Sequence, residues 1–127
     1  MTHPVMSWSR VVTLAKELPG VEEGLSYGQP SLKVKGKFFS RVRDDGAVLV
    51  VRTNLFARQY LIDSDPEKYF VTDHYLNHPY VLVNLGLASE AEVRERIREG
   101  WREAAPAKLV KGLDAPEPGA AARRDVK

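Results

Sequence analysis

The chain has 127 residues, of which 43% are hydrophobic and 28% charged, and its formal net charge is +2. This length suits one compact domain with a single core, and the composition excludes wholesale disorder and a fibrous repeat. The chain contains no cysteine, which excludes disulfides, thiolate catalysis and cysteine-based zinc or iron–sulfur sites.

The N-terminal segment, residues 1–10, has no basic stretch leading into an apolar run of signal-peptide length. The longest apolar stretch, residues 47–51, is far too short to span a bilayer. We therefore expect a cytoplasmic protein with no membrane partner.

The first predicted element is a helix that starts after Ser7, a residue type favoured as an N-cap. Its apolar residues at helical spacing are Trp8, Val11, Val12, Ala15 and Leu18. Pro19-Gly20 ends this pattern, and residues 21–30 mix glutamate, glycine and proline. That mixture suits a loop or a short irregular strand that enters a sheet.

Three strands are predicted next, over residues 31–35, 37–43 and 47–52. Gly36 separates the first two, and Asp44-Asp45-Gly46 separates the second from the third. Because both connections are short and contain glycine, the three strands should form an antiparallel meander.

A second helix is predicted after Thr53 or Asn54, with Leu55, Phe56, Leu61 and Tyr60 facing inward. It should end at the polar segment 63–66, which contains a proline. Two further strands follow, at residues 69–72 and 80–85, with a polar connection between them.

The third predicted helix begins with a capping box, Ser89 followed by Glu92. Its apolar stripe ends at Pro106, and residues 109–113 could add a final docked turn. The composition then changes to alanine, proline, glycine and mixed charge. We expect one domain over residues 1–113 and a flexible tail over residues 114–127.

The predicted order of elements is α-β-β-β-α-β-β-α. Such an order packs as an α+β two-layer sandwich, with helices on one face of an antiparallel sheet and the other face open.

Four segments carry a family resemblance: residues 18–23 (LPGVEE), 28–34 (GQPSLKV), 36–39 (GKFF) and 80–85 (YVLVNL). They resemble the MmcQ/YjbR family, and the similarity extends over roughly residues 8–113. The resemblance implies a small bacterial protein with a fold like that of the secretion chaperones. Such proteins are often labelled DNA-binding, because a double-wing arrangement of their strands has been proposed. It implies no catalytic or binding residue, and the tail has no counterpart in the family.

A one-sided row of cations marks the first two strands of the meander. Strand alternation places Leu32, Val34, Phe38, Ser40 and Val42 on the core side. It places Phe39 and five cations on the other side, where the cations could contact phosphates and the ring could stack on a base. Tyr27 could offer a second ring. With two arginines near the second helix, the candidate nucleic-acid-binding residues are Lys33, Lys35, Lys37, Phe39, Arg41, Arg43, Arg52 and Arg58.

A simpler interpretation of these cations stays open, and it is the more common situation for lysine and arginine. They could solubilise an uncovered sheet face, paired with Asp44, Asp45 and Glu22 or Glu23. The arginines of the third helix alternate with glutamates at pairing distance, which is typical of a solvated, salt-bridged face. His74 and His78 precede Pro79 in a loop and lack a third ligand nearby, so we predict no metal site.

The leading hypothesis is a non-enzymatic protein that binds DNA or RNA weakly and without sequence preference. The alternative is a protein-interaction or chaperone-like module that binds a protein partner or forms a homodimer. An enzyme is the least favoured class, because the chain has no glycine-rich phosphate loop, no nucleophile elbow and no convincing acid–base pair. No catalytic residue and no cofactor is therefore predicted.

Overall fold

The computed structural model of the protein describes residues 6–26, 28–43 and 46–114. Its elements in chain order are α1 (Trp8–Ala15), β1 (Val21–Ser26), β2 (Gln29–Val34), β3 (Lys37–Arg43), β4 (Val48–Arg52), α2 (Leu55–Ser64), β5 (Tyr69–Phe70), a 3-10 turn (Asp73–Tyr75), β6 (Tyr80–Asn84), α3 (Glu90–Ala104) and α4 (Ala107–Asp114). The strands form one antiparallel sheet in the order β1-β2-β3-β4-β6-β5. The predicted α+β class is confirmed.

An edge strand, β1, forms where we expected a loop or an irregular strand. It pairs along its whole length with β2, from Val21 opposite Val34 to Ser26 opposite Gln29. Glutamate and glycine are poor strand formers, but charged residues are common on sheet edges, where they discourage further pairing. The hydrogen bonds to β2, rather than the intrinsic strand propensity of residues 21–26, therefore account for β1.

The end of the chain also differs from the prediction. Residues 107–114 form a helix, α4, where we expected a single docked turn. Asp114 is the last residue of α4, and the rest of the predicted tail lies outside the described residues. Tyr27, Asp44 and Asp45 also lie outside them.

The main core lies between the sheet and the helices α1 and α3. Trp101 of α3 is 0% exposed, and its indole N–H donates a hydrogen bond to the carbonyl of Pro19 at 2.8 Å. Gly100 lets α3 pack directly onto β4, because a Cβ there would lie 2.8 Å from Val51 Cγ2 and 3.1 Å from the Arg52 carbonyl. This close approach fixes the end of β4, where Arg52 pairs with Tyr80 of β6.

Helix α2 buries a different face from the one we predicted. Leu61 is buried as expected, but Phe56 is 89% exposed, and Leu55 and Tyr60 are also exposed. The inward position one turn before Leu61 is occupied by Arg58. A charged side chain can take that place because the fold supplies backbone acceptors for it, which the local pattern does not reveal.

The sheet face opposite α1 and α3, here called the outer face, is partly covered. The 3-10 turn brings Tyr75 onto this face, where it packs with Val50 and Leu82 in a second, smaller apolar cluster. The expected open face is thus reduced to the part around β1, β2 and β3, and a concave surface lies at its boundary with the turn.

Candidate functional site

A β-bulge in β3 decides which aromatic side chain reaches the outer face. Leu32 pairs with Ser40 and Lys33 pairs with Phe38, so Phe39 is an extra residue without a partner in β2. An extra residue reverses the alternation on one side of the bulge. Phe39 is therefore 0% exposed in the main core, and Phe38 points outward, with its ring centroid 5.6 Å from that of Tyr80. The prediction that Phe39 stands out of the sheet is wrong, and Phe38 takes that position.

The bulge also divides the predicted row of cations. Lys37 lies opposite Val34, whose side chain is in the core, so its register places it on the helix side of the sheet. Lys35 has a φ of 50° in the hairpin turn, and its Cε lies 3.9 Å from where a Cβ on Gly20 would be. Both lysines therefore leave the outer face.

Four of the predicted cations remain on the outer face by register: Lys33, Arg41, Arg43 and Arg52. Lys33 pairs with Phe38, Arg41 with Val50, and Arg52 with Tyr80, so two of the four stand beside an aromatic ring. Leu32, Val34, Ser40 and Val42 are buried, in agreement with the predicted core side.

A cleft of about 350 Å³ opens at the boundary between the outer face and the segment around the 3-10 turn. Three aromatic rings and one guanidinium group dominate its walls, and a hydroxyl and two imidazoles complete them. Its lining residues are Ser26, Phe38, Arg41, His74, Tyr75, His78 and Tyr80. The aromatic part of the site was missed from the sequence, because Tyr75 and Tyr80 meet Phe38 only through the folded sheet.

Two arginines of the outer face are held by tyrosine hydroxyls. The Arg41 guanidinium donates a hydrogen bond to the Tyr75 hydroxyl, and its central carbon lies 6.0 Å from that ring centroid. Arg52 donates to the Tyr80 hydroxyl at 3.2 Å and lies 5.8 Å from that ring. These contacts orient the guanidinium groups through hydroxyl groups rather than carboxylates.

The cations of the outer face differ from those of the helices in their partners. Within residues 6–26, 28–43 and 46–114, no carboxylate oxygen lies within 4.0 Å of the charged nitrogens of Lys33, Arg41 or Arg52. Glu22 lies opposite Lys33 in the register but forms no such ion pair with it, and Glu23 pairs with Lys16 at 2.8 Å. Pairing with Asp44 and Asp45 lies outside the described residues.

Arg58 does not reach the surface where we predicted it. The residue is 8% exposed, and its Nη1 donates to the carbonyls of Tyr75, His78 and Tyr80 at 3.1, 2.8 and 3.1 Å. Its Nη2 donates to the carbonyl of Leu76 at 2.8 Å. Arg58 thus holds the segment that forms one wall of the cleft, and it offers no contact to a ligand.

The salt-bridged face expected on α3 is present, with partners from other elements. Arg94 pairs with Glu17 of the segment after α1 at 3.2 Å, and more distantly with Glu90 at 3.9 Å. Glu92 pairs with Lys68 at 2.6 Å rather than with an arginine of its own helix. The Lys68 ammonium lowers the pKa of Glu92, and Glu92 raises the pKa of Lys68. These contacts join α3 to other elements by ion pairs.

In the described part of the chain, no group of three or more histidine or acidic side chains is placed to hold a metal ion. No helix among the described residues is long and apolar enough to cross a membrane.

Fold and site together define an α+β protein with helices on one side of an antiparallel sheet and a cationic, aromatic cleft on the other. The model of the YjbR family matches residues 16–103, a range that includes every lining residue of the cleft, and the chain belongs to this family. The resemblance inferred from the sequence is thereby confirmed.

The fold is similar to that of a solved structure, the Deinococcus radiodurans protein DR2400, whose domain is described as DUF419. The TM-score is 0.70 over 92% of this chain and 94% of that chain, at 17% sequence identity. No curated protein sequence matches the chain significantly.

Proposed function

We propose that this protein is a non-enzymatic nucleic-acid-binding protein that uses the outer face of its sheet. One observation carries the proposal: Lys33, Arg41 and Arg52 share that face and pair with no carboxylate among the described residues. Each lies beside an aromatic ring, which is Phe38 for Lys33, Tyr75 for Arg41 and Tyr80 for Arg52. Lysine and arginine neutralise phosphates and release counterions, while flat rings stack on bases.

Binding of this kind depends on arrangement more than on net charge. The formal charge of the chain is only +2, but acids and bases pair on the helical side, whereas Lys33, Arg41 and Arg52 on the outer face pair with no carboxylate among the described residues. Phosphate contacts carry no sequence information, and stacking tolerates every base. We therefore expect weak, salt-dependent binding with little sequence preference.

Fluorescence anisotropy with labelled DNA and RNA at several salt concentrations tests the proposal. The double variant Lys33→Glu/Arg52→Glu should bind about tenfold or more weakly at low salt, and the slope of log affinity against log salt should fall by about two. A matched control is Lys108→Glu/Lys111→Glu on α4. Both side chains are exposed, and α4 contributes no lining residue to the cleft.

Two results would remove the proposal. One is the absence of binding to DNA and RNA at low salt. The other is an equal loss of affinity in the α4 control and in the outer-face variant, which would show a non-specific response to charge.

A second candidate function, self-association, is favoured by a separate observation on α2. Leu55, Phe56 and Tyr60 form an exposed apolar patch on this helix, and Phe56 is 89% exposed. Side chains of this kind are typical of protein contacts. If a second copy covers the patch, light scattering should give a dimer that Phe56→Ser converts to a monomer. A monomeric wild-type protein at high concentration would exclude this candidate.

A further inference from the structure

We infer that the cleft on the outer face accepts one unstacked nucleobase, so that the protein binds single strands in preference to duplexes. This inference rests on the proposed function and specifies the class of nucleic acid that the site takes. Four observations carry it: the size of the cleft, the chemistry of its walls, its rim, and the cations that flank it.

The cleft is large enough to hold one small ring system. Its volume of about 350 Å³ lies at the lower end of the range of small-ligand clefts, about 300–1,000 Å³. A duplex groove contact requires a convex element such as a helix or a β-ribbon that enters the groove. This site is instead concave, bounded by the sheet on one side and the segment of the 3-10 turn on the other.

The walls of the cleft offer a base both aromatic rings for stacking and polar groups for hydrogen bonding. Phe38 and Tyr80 are half-buried and line the cleft, and Tyr75, which is 7% exposed, lines it as well. The Arg41 guanidinium has five N–H donors, and Tyr75 is its one hydrogen-bond partner among the described residues. Its remaining donors can reach acceptors on the edge of a base or on a phosphate.

The rim adds groups that can donate and accept. His74 and His78 are exposed at the mouth of the cleft, and Ser26 lies on the opposite side, in β1. Imidazole nitrogens and a hydroxyl can pair with any base edge, so the rim supports binding without selecting one base.

The flanking cations fit a strand that passes across the cleft. Lys33 is the cross-strand neighbour of Phe38, and Arg52 is the cross-strand neighbour of Tyr80. Phe38 and Tyr80 therefore each have a cation beside them. The same arrangement occurs in sites where bases stack on rings and cations neutralise the adjoining phosphates.

A base in an intact duplex cannot enter this cleft. It is stacked on both faces and paired at its edge, so it would first have to be flipped out of the helix, which costs a few kcal/mol. A base in a single strand is already unpaired, so its entry into the cleft does not carry this free-energy cost. The preference for single strands should therefore be about tenfold or more.

The test compares three labelled probes by anisotropy at one salt concentration: a short oligothymidylate, its duplex with oligodeoxyadenylate, and an abasic strand of equal length and charge. We expect the oligothymidylate to bind about tenfold or more tightly than either of the others. Phe38→Leu, which keeps an apolar side chain but removes the flat ring, should lower oligothymidylate affinity to that of the abasic strand and leave duplex affinity unchanged.

The outcomes separate this inference from the function on which it rests. Equal binding of the three probes, or tighter binding of the duplex, overturns the inference while nucleic-acid binding stands. Binding of no probe overturns both. If Phe38→Leu does not fold, NMR of the wild-type protein decides, because oligothymidylate should shift the ring resonances of Phe38 and Tyr80, and unshifted rings would contradict the inference.

Discussion

Arg58 shows how one buried side chain shapes a cleft that it does not itself line. A buried charge is costly unless it is paired or fully hydrogen-bonded, and Arg58 donates to four backbone carbonyls between residues 75 and 80. Since its planar fork spans several acceptors at once, it ties α2 to the segment that carries Tyr75 and leads into β6. The position of Tyr75 in the cleft therefore depends on a residue in another element.

Replacing Arg58 by lysine should destabilise the protein and loosen this wall of the cleft. The ammonium keeps the positive charge but cannot reach all four carbonyls, so some stay buried without a donor. We expect a loss of about 2–3 kcal/mol in the free energy of unfolding. Urea denaturation measures that loss, and hydrogen exchange should show faster exchange around residues 75–80.

Arg98→Lys on α3 is the matched control, because Arg98 makes no hydrogen bond or ion pair among the described residues. It should leave both measurements unchanged. Unaltered exchange around residues 75–80 in Arg58→Lys would show that this arginine does not hold the segment.

At the scale of single elements, the features that could be predicted were those encoded within a few residues. The capping box of α3 forms as expected, with the Ser89 hydroxyl accepting from the Glu92 N–H at 3.1 Å. The hairpin between β2 and β3 turns at Gly36, which has a φ of 80°. Both signals are local, because the residues that produce them are close in sequence.

The features that could not be predicted depend on neighbouring strands. Two adjacent aromatic residues, Phe38 and Phe39, fit the strand pattern in either orientation, and only the bulge against β2 decides which of them is buried. Tyr75 joins the site because the 3-10 turn folds back over the sheet, and Tyr80 joins it because β6 pairs with β4. The sequence therefore revealed a cationic sheet face but not the cleft within it.

For the whole molecule, ion pairing differs between the two sides. The helical side joins its elements by ion pairs, including Arg10–Glu90 at 2.7 Å, Arg94–Glu17 at 3.2 Å and Lys68–Glu92 at 2.6 Å. These pairs connect α3 to α1, to the segment that follows α1, and to the residue before β5. On the outer face, Lys33, Arg41 and Arg52 form no ion pair with a carboxylate among the described residues. Stability against acid and affinity for an anion should therefore depend on different sides of the protein.

The ion pairs of the helical side predict how stability changes with pH. Hydrogen bonds from Arg94, Arg10 and Lys68 lower the pKa of Glu17, Glu90 and Glu92, respectively, below the ordinary value of 4.5. Because the unfolded chain binds more protons just below pH 4.5, the stabilisation is complete above that pH and is lost as the pH falls through the lower, folded-state values. The free energy of unfolding should decrease steadily over that window.

The triple variant Glu17→Gln/Glu90→Gln/Glu92→Gln should be less stable than the wild type at pH 7, and its stability should change less with pH in the acid range. Its matched control, Glu22→Gln/Glu67→Gln/Glu95→Gln, removes three glutamates that form no ion pair within 4.0 Å among the described residues and changes the net charge equally. Urea denaturation at a series of pH values distinguishes them. If both variants lose the same part of the acid dependence, net charge and not these pairs governs it. Since the paired glutamates lie on the helical side, the first variant should retain wild-type affinity for oligothymidylate at pH 7.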